Sequence, residues 1–73
     1  MSDEVQDTTD QIHTFIRAYR AQHGNSPSQR EIAQGCFLSR PAIIRHLDRL
    51  EMQGKIRREP GKARGIQLID DVA

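Results

Sequence analysis

Apolar residues recur at helical spacing in three stretches of the chain and then at alternate positions in two short ones. Ile12, Phe15, Ile16 and Tyr19 fall at i, i+3, i+4 and i+7, the single stripe of an amphipathic helix. That stripe predicts a first helix from about Thr8 to His23. Thr8-x-x-Gln11 has the spacing of a capping box, and "HGNSP" supplies a glycine stop and turn chemistry. A second helix opens at "SQRE", another capping-box match in which Ser28 caps and Glu31 reaches back. Its inner face is short, with Ile32, Ala33 and Cys36, and it ends near Gly35 or Cys36. After the turn "CFL", Ser39 is a favoured N-cap and Pro41 falls in the first turn, where its missing donor has no partner to lose. Ile43, His46, Leu47 and Leu50 then form one face of a third helix, closed by "MQG" at Gly54. From Lys55 the period changes to two. Ile56 alternates with cations in "KIRR", the turn "EPGKARG" follows, and Ile66 and Leu68 share one side of "IQLI": a β-hairpin with a long basic loop.

The order helix, helix, helix, hairpin predicts a mostly α domain with a small β-hairpin, a winged helix-turn-helix of three helices and a two-stranded antiparallel wing. The expected division is an acidic flexible N-terminus over residues 1–7, the domain over 8–69 and a C-terminal tail over 70–73. One position resists the simple amphipathic reading. Successive helical residues point about 100° apart, so if Ile43 faces the core, Ile44 lies outside it, between Arg40 and Asp48. An exposed β-branched apolar residue on a polar flank needs a reason.

Composition narrows the class. The chain has 73 residues and one cysteine, so it has room for one small domain and no intramolecular disulfide. No apolar run reaches the ~20 residues of a membrane span, and the polar, acidic start is not a signal peptide. The net charge of +1 conceals a division. Residues 1–10 carry four carboxylates and no Lys or Arg, whereas residues 11–69 carry all 11 Lys and Arg against four carboxylates. A basic middle with few aromatics points to duplex nucleic acid, where phosphates supply the attraction. In this architecture the third helix enters the major groove while the second helix and the wing reach the backbone. The candidate DNA-binding residues are therefore Ser28, Gln29 and Arg30 at the start of helix 2; Ser39, Arg40, Pro41, Ile44 and Arg45 at the start of helix 3; and Lys62 and Arg64 in the wing. Of Arg57 and Arg58, which alternate sides, at most one points to DNA. Asp48 is expected to pair with Arg45 or another nearby cation, and His46 to pack at the edge of the apolar face. Cys36, His13, His23 and His46 lack metal-ligand spacing, and neither Ser28 nor Ser39 has the oriented base that a nucleophile needs. No metal, cofactor, catalytic residue or small-molecule ligand is expected.

"FIRAYRAQHGNSPSQREIAQ" followed by "HLDRLEMQGKIRREPGKARGIQLID" resembles the DNA-binding domain of LexA-type repressors over roughly residues 5–69. The shared features are the F-I-R of helix 1, the P-S-x-x-E-I-A entry to helix 2, H-L-x-x-L-E-x-x-G-x-I around the end of helix 3, and the P-G-x-x-R-G-I-x-L wing. The resemblance implies a bacterial or phage transcription regulator, cytoplasmic and nucleoid-associated, most simply a repressor that blocks promoter access. It also puts Ile44 and Arg45 where such domains reach base edges. Ile44 can neither donate nor accept, but it can pack on a thymine 5-methyl group. Two departures stand out. The turn before helix 3 is one residue shorter than in many LexA-type sequences, and follows MarR-like spacing. Phe37 stands where that turn usually carries Gly, the residue suited to φ > 0. Family members resemble a two-part protein with a self-cleaving, dimerising second domain, and residues 1–73 contain none of its elements, so a truncated fragment is one reading. A winged helix used as a protein–protein interaction module is another. The expected partners are double-stranded DNA and, on paired half-sites, a second copy of the chain; no membrane partner is expected.

Overall fold

The computed structural model describes residues 4–69. Among them lie three helices, α1 (Glu4–His23), α2 (Gln29–Cys36) and α3 (Arg40–Met52), then two strands, β1 (Ile56–Arg58) and β2 (Ile66–Leu68). This is the winged helix-turn-helix that the hydrophobic pattern predicts.

The first helix is longer than its apolar stripe suggests. It begins at Glu4, so residues 4–7, expected as part of a flexible terminus, belong to α1; residues 1–3 and the expected tail 70–73 lie outside the described residues. Thr8 is not a cap. Its hydroxyl donates to the Glu4 carbonyl at 3.0 Å, and Thr9 does the same to Val5 at 2.8 Å, so both threonines bond back onto their own helix. Glu4 and Asp7 in the first turn complement the positive end of the helix dipole. Thr9 is fully buried and extends the stripe one turn upstream of Ile12.

The predicted caps of the other two helices are present. Ser28 and Glu31 form a reciprocal capping box, Ser28 Oγ accepting from Glu31 N at 3.2 Å and Glu31 Oε1 accepting from Ser28 N at 2.8 Å. Ser39 Oγ accepts from Ala42 N at 3.3 Å, with Pro41 in the first turn of α3. Phe37 ends α2 in the left-handed region, at φ 58° and ψ 43°. It is the one non-glycine residue with positive φ among those described. The Phe37 and Leu38 amides both return to the Ala33 carbonyl, and the Phe37 ring is 92% exposed.

Ile12 and Ile16 from α1, Ile32 and Ala33 from α2, Ile43, Leu47 and Leu50 from α3, and Ile56 and Ile66 from the strands make one core. Phe15 packs on its edge over α2. Gly35 permits this approach, because a Cβ there would sit 2.3 Å from the Phe15 ring. The hairpin is antiparallel, with Ile56 opposite Leu68 and Arg58 opposite Ile66. Each strand has three residues, so the wing contributes little core beyond Ile56 and Ile66. Its loop is closed at the base by Glu59 N donating to Gly65 O at 2.8 Å. Gly65 passes so near this bond that a Cβ on it would lie 2.6 Å from the Glu59 carbonyl oxygen.

Candidate nucleic-acid interface

The two adjacent isoleucines separate cleanly. Ile43 is fully buried, while Ile44 is 39% exposed on the outer face of α3 beside the exposed Arg40, Pro41, Arg45 and Asp48. His46, one step round the helix, is turned inward. Its Nδ1 lies 2.8 Å from Thr9 Oγ1. Because that hydroxyl donates to Val5 O, Nδ1 carries the proton and donates. Burial, with Arg45 and Arg49 nearby, pushes the His46 pKa below its ordinary value, so the ring packs as a neutral group.

The starts of α2 and α3 and the tip of the wing converge. Ser28, Gln29 and Arg30, Arg40, and Gly61, Lys62 and Ala63 line one open groove. Arg40 Nη2 donates to Gln29 Oε1 at 3.4 Å, joining the two helix starts. Arg30, Arg40 and Lys62 give this groove three cations, and it lies against the N-terminal ends of two helices, where free amides and the dipole favour an anion. Lys62 is 70% exposed; its Nζ meets Glu59 Oε2 at 3.0 Å, a short-range pair that solvent screens heavily.

Arg64 does not join this group. Expected as a second cation of the wing facing the backbone, it folds back from the loop onto α2. Nη1 donates to Glu31 Oε1 at 2.7 Å and Nη2 to Glu31 Oε2 at 3.1 Å, a bidentate pair. Nη1 also lies 3.1 Å from the Ser26 carbonyl and 3.3 Å from Tyr19 Oη. Tyr19 Oη in turn donates to Glu31 Oε2 at 3.0 Å. The Arg64 bonds, then the Ser28 amide and the Tyr19 hydroxyl, pull the Glu31 carboxyl down to a pKa of about 2. Arg64 is held still more firmly protonated than an ordinary arginine, by Glu31 first and Tyr19 second.

A second linkage ties the wing to α3. Arg58 pairs with both Asp48 and Glu51, with Nε 2.7 Å from Glu51 Oε1. Asp48 thus finds a nearby cation, but one on β1 rather than on its own helix. Burial opposes the charge on Arg58, yet its bonds to Asp48 and Glu51 raise its pKa overall. Arg57, its neighbour in β1, is exposed. In the sequence Glu31 reads as a capping residue and Tyr19 as part of an apolar stripe. Their partner lies 33 residues beyond Glu31, a pairing that no local pattern announces.

The chain is similar to known proteins along most of its length. The family model described as "LexA DNA binding domain" matches residues 4–65. A LexA repressor of Clostridium acetobutylicum is 43% identical over 68 residues, 92% of this chain and 33% of that protein. A LexA repressor of Carboxydothermus hydrogenoformans is 40% identical over 63 residues, 85% of this chain and 31% of that protein. One of Xylella fastidiosa is 54% identical over 56 residues, 68% of this chain and 26% of that protein. The chain thus spans between a quarter and a third of the length of these relatives.

Proposed function

Because the chain belongs to the LexA DNA-binding-domain family, we propose that it binds double-stranded DNA sequence-specifically and regulates transcription, as a repressor that occupies promoter DNA. The observation that carries this reading is the shared groove in which Arg30, Arg40 and Lys62 meet the starts of α2 and α3. With α3 laid in a major groove, these three cations and the helix-start amides face the flanking phosphates, and the wing tip follows the backbone. Phosphate contacts of this kind fix register, and base edges are read by what projects from α3. Arg45 is long enough to fork onto guanine O6 and N7 or to grip a phosphate. Ile44 offers an apolar surface to a thymine methyl. The exposure of Ile44, set against complete burial of Ile43, is what this assignment predicts for a reader that is not needed for folding. The proposed activity is binding without a chemical step, in the cytoplasm at the nucleoid.

Fluorescence anisotropy of labelled duplexes across a salt series tests the reading. Three neutralised phosphates give a slope of log K against log salt of about −2.7, at about −0.9 per phosphate. Selection from a random pool gives the preferred site, and its symmetry gives the number of copies bound. Unchanged anisotropy at low salt, for random and selected duplexes alike, refutes the proposal.

A further inference from the structure

We propose that Arg64 is a positioning residue of the wing: its bidentate pair with Glu31 latches the loop onto α2 and α1, and so sets where Lys62 meets the DNA backbone. This rests on the DNA-binding reading above. The latch is needed because the hairpin has little else to hold it. Two strands of three residues carry a loop of seven, residues 59–65, and of that loop Pro60, Gly61, Lys62, Ala63 and Arg64 are exposed. The near limb is fastened to α3 by Arg58, through Asp48 and Glu51. The far limb is fastened by Arg64 to Glu31, with the Ser26 carbonyl and Tyr19 Oη completing its contacts. The wing tip is thus stayed from two sides.

The Nη1–Nη2 edge of the guanidinium is filled by Glu31, so it cannot turn that fork onto a phosphate without breaking the pair. Lys62 stands two residues away with one short-range partner and is far more exposed. The two wing cations therefore divide the work: Arg64 anchors, and Lys62 meets the phosphate. Glu31 serves twice, closing the capping box of α2 with one bond and the wing latch with the rest. A carboxylate beside a phosphate-binding groove weakens affinity by its charge alone, unless it holds something in place.

That opposition makes Glu31→Gln decisive. Gln at this position still satisfies a capping box, so α2 forms, but the ionic latch is lost. If Glu31 merely restrains a phosphate-seeking Arg64, removing its charge frees Arg64 and binding tightens. If the latch positions the wing, the competent wing population falls, and the dissociation constant for a labelled duplex recovered by selection rises by about three- to tenfold at fixed salt. In the free protein, amide exchange at Glu59 in the wing should quicken, with Leu47 and Leu50 in α3 unchanged. Arg64→Ala should weaken binding comparably without changing the salt slope, whereas Lys62→Ala should reduce its magnitude by about 0.9. Unchanged or tighter binding by the Glu31→Gln protein, or a slope loss in Arg64→Ala equal to that in Lys62→Ala, overturns the proposal. If the unmutated protein binds no duplex, the functional reading fails instead, and Glu59 exchange alone decides whether the latch exists: unchanged exchange in the Glu31→Gln protein rules it out.

Discussion

Replacing Phe37 with glycine should make the domain more stable, although it removes the larger of two side chains. Phe37 ends α2 at φ 58°, ψ 43°, where the Cβ of an L-residue crowds its own backbone at a cost of about 1–2 kcal/mol. Glycine escapes that strain, but it loses about 0.5–1 kcal/mol more backbone entropy on folding than a residue with a Cβ. Burial barely enters, because the ring is 92% exposed. Taken at the middle of each range, the difference is a net gain of about 0.75 kcal/mol, which for a domain of this size raises Tm by about 3–6 °C. The assay is denaturant unfolding followed by far-UV circular dichroism. The midpoint should rise with an unchanged m-value, since nothing is gained or lost in buried surface. Phe37→Ala is the control: it removes the ring but keeps the Cβ, so its midpoint should stay near that of the parent. A Phe37→Gly protein no more stable than the parent, or a Phe37→Ala protein that matches the gain, would refute the assignment of strain to this turn.

Three further outcomes follow from the geometry. Ile44→Ala should relax sequence preference at one base pair, read by selection or competition anisotropy, with little change in Tm; Ile43→Ala should lose about 2–5 kcal/mol by denaturant titration, because its side chain is fully buried. The Glu31 carboxyl is depressed from 4.5 to about 2 on folding, so its stabilisation is complete above pH 4.5 and disappears as pH falls toward 2; acid titration of the unfolding midpoint should show a shallower loss over that window in Glu31→Gln than in the parent. Gly65→Ala should open the wing loop, since its Cβ would sit 2.6 Å from the Glu59 carbonyl oxygen, and it should quicken exchange at the Glu59 amide and weaken duplex binding while helical content is retained.

The parts of the molecule that could be read from its sequence are those governed by neighbours along the chain. Helical periodicity located Ile12, Ile16, Ile43, Leu47 and Leu50 in the core, and the two serine caps set the starts of α2 and α3 within a residue. The start of α1 lies upstream of its expected place because Thr8 has capping-box spacing with Gln11, yet its hydroxyl, like that of Thr9, returns to a carbonyl one turn back; continuing the stripe one turn upstream from Ile12 reaches the buried Thr9. The wing was harder for a physical reason. With three-residue strands it has no hydrophobic pattern strong enough to dictate where its loop lies, so that decision passes to charge pairs. Arg58 and Arg64 look alike in sequence to Lys62, each a cation in a basic hairpin. What separates them is the presence of Asp48, Glu51 and Glu31 on other elements, within reach only after the chain has folded. On the proposed reading, a count of cations therefore overstates how many of them meet phosphate. Charges drawn inward to hold the wing are unavailable to phosphates, and the salt slope of binding should track the cations left over rather than the basic character of the sequence.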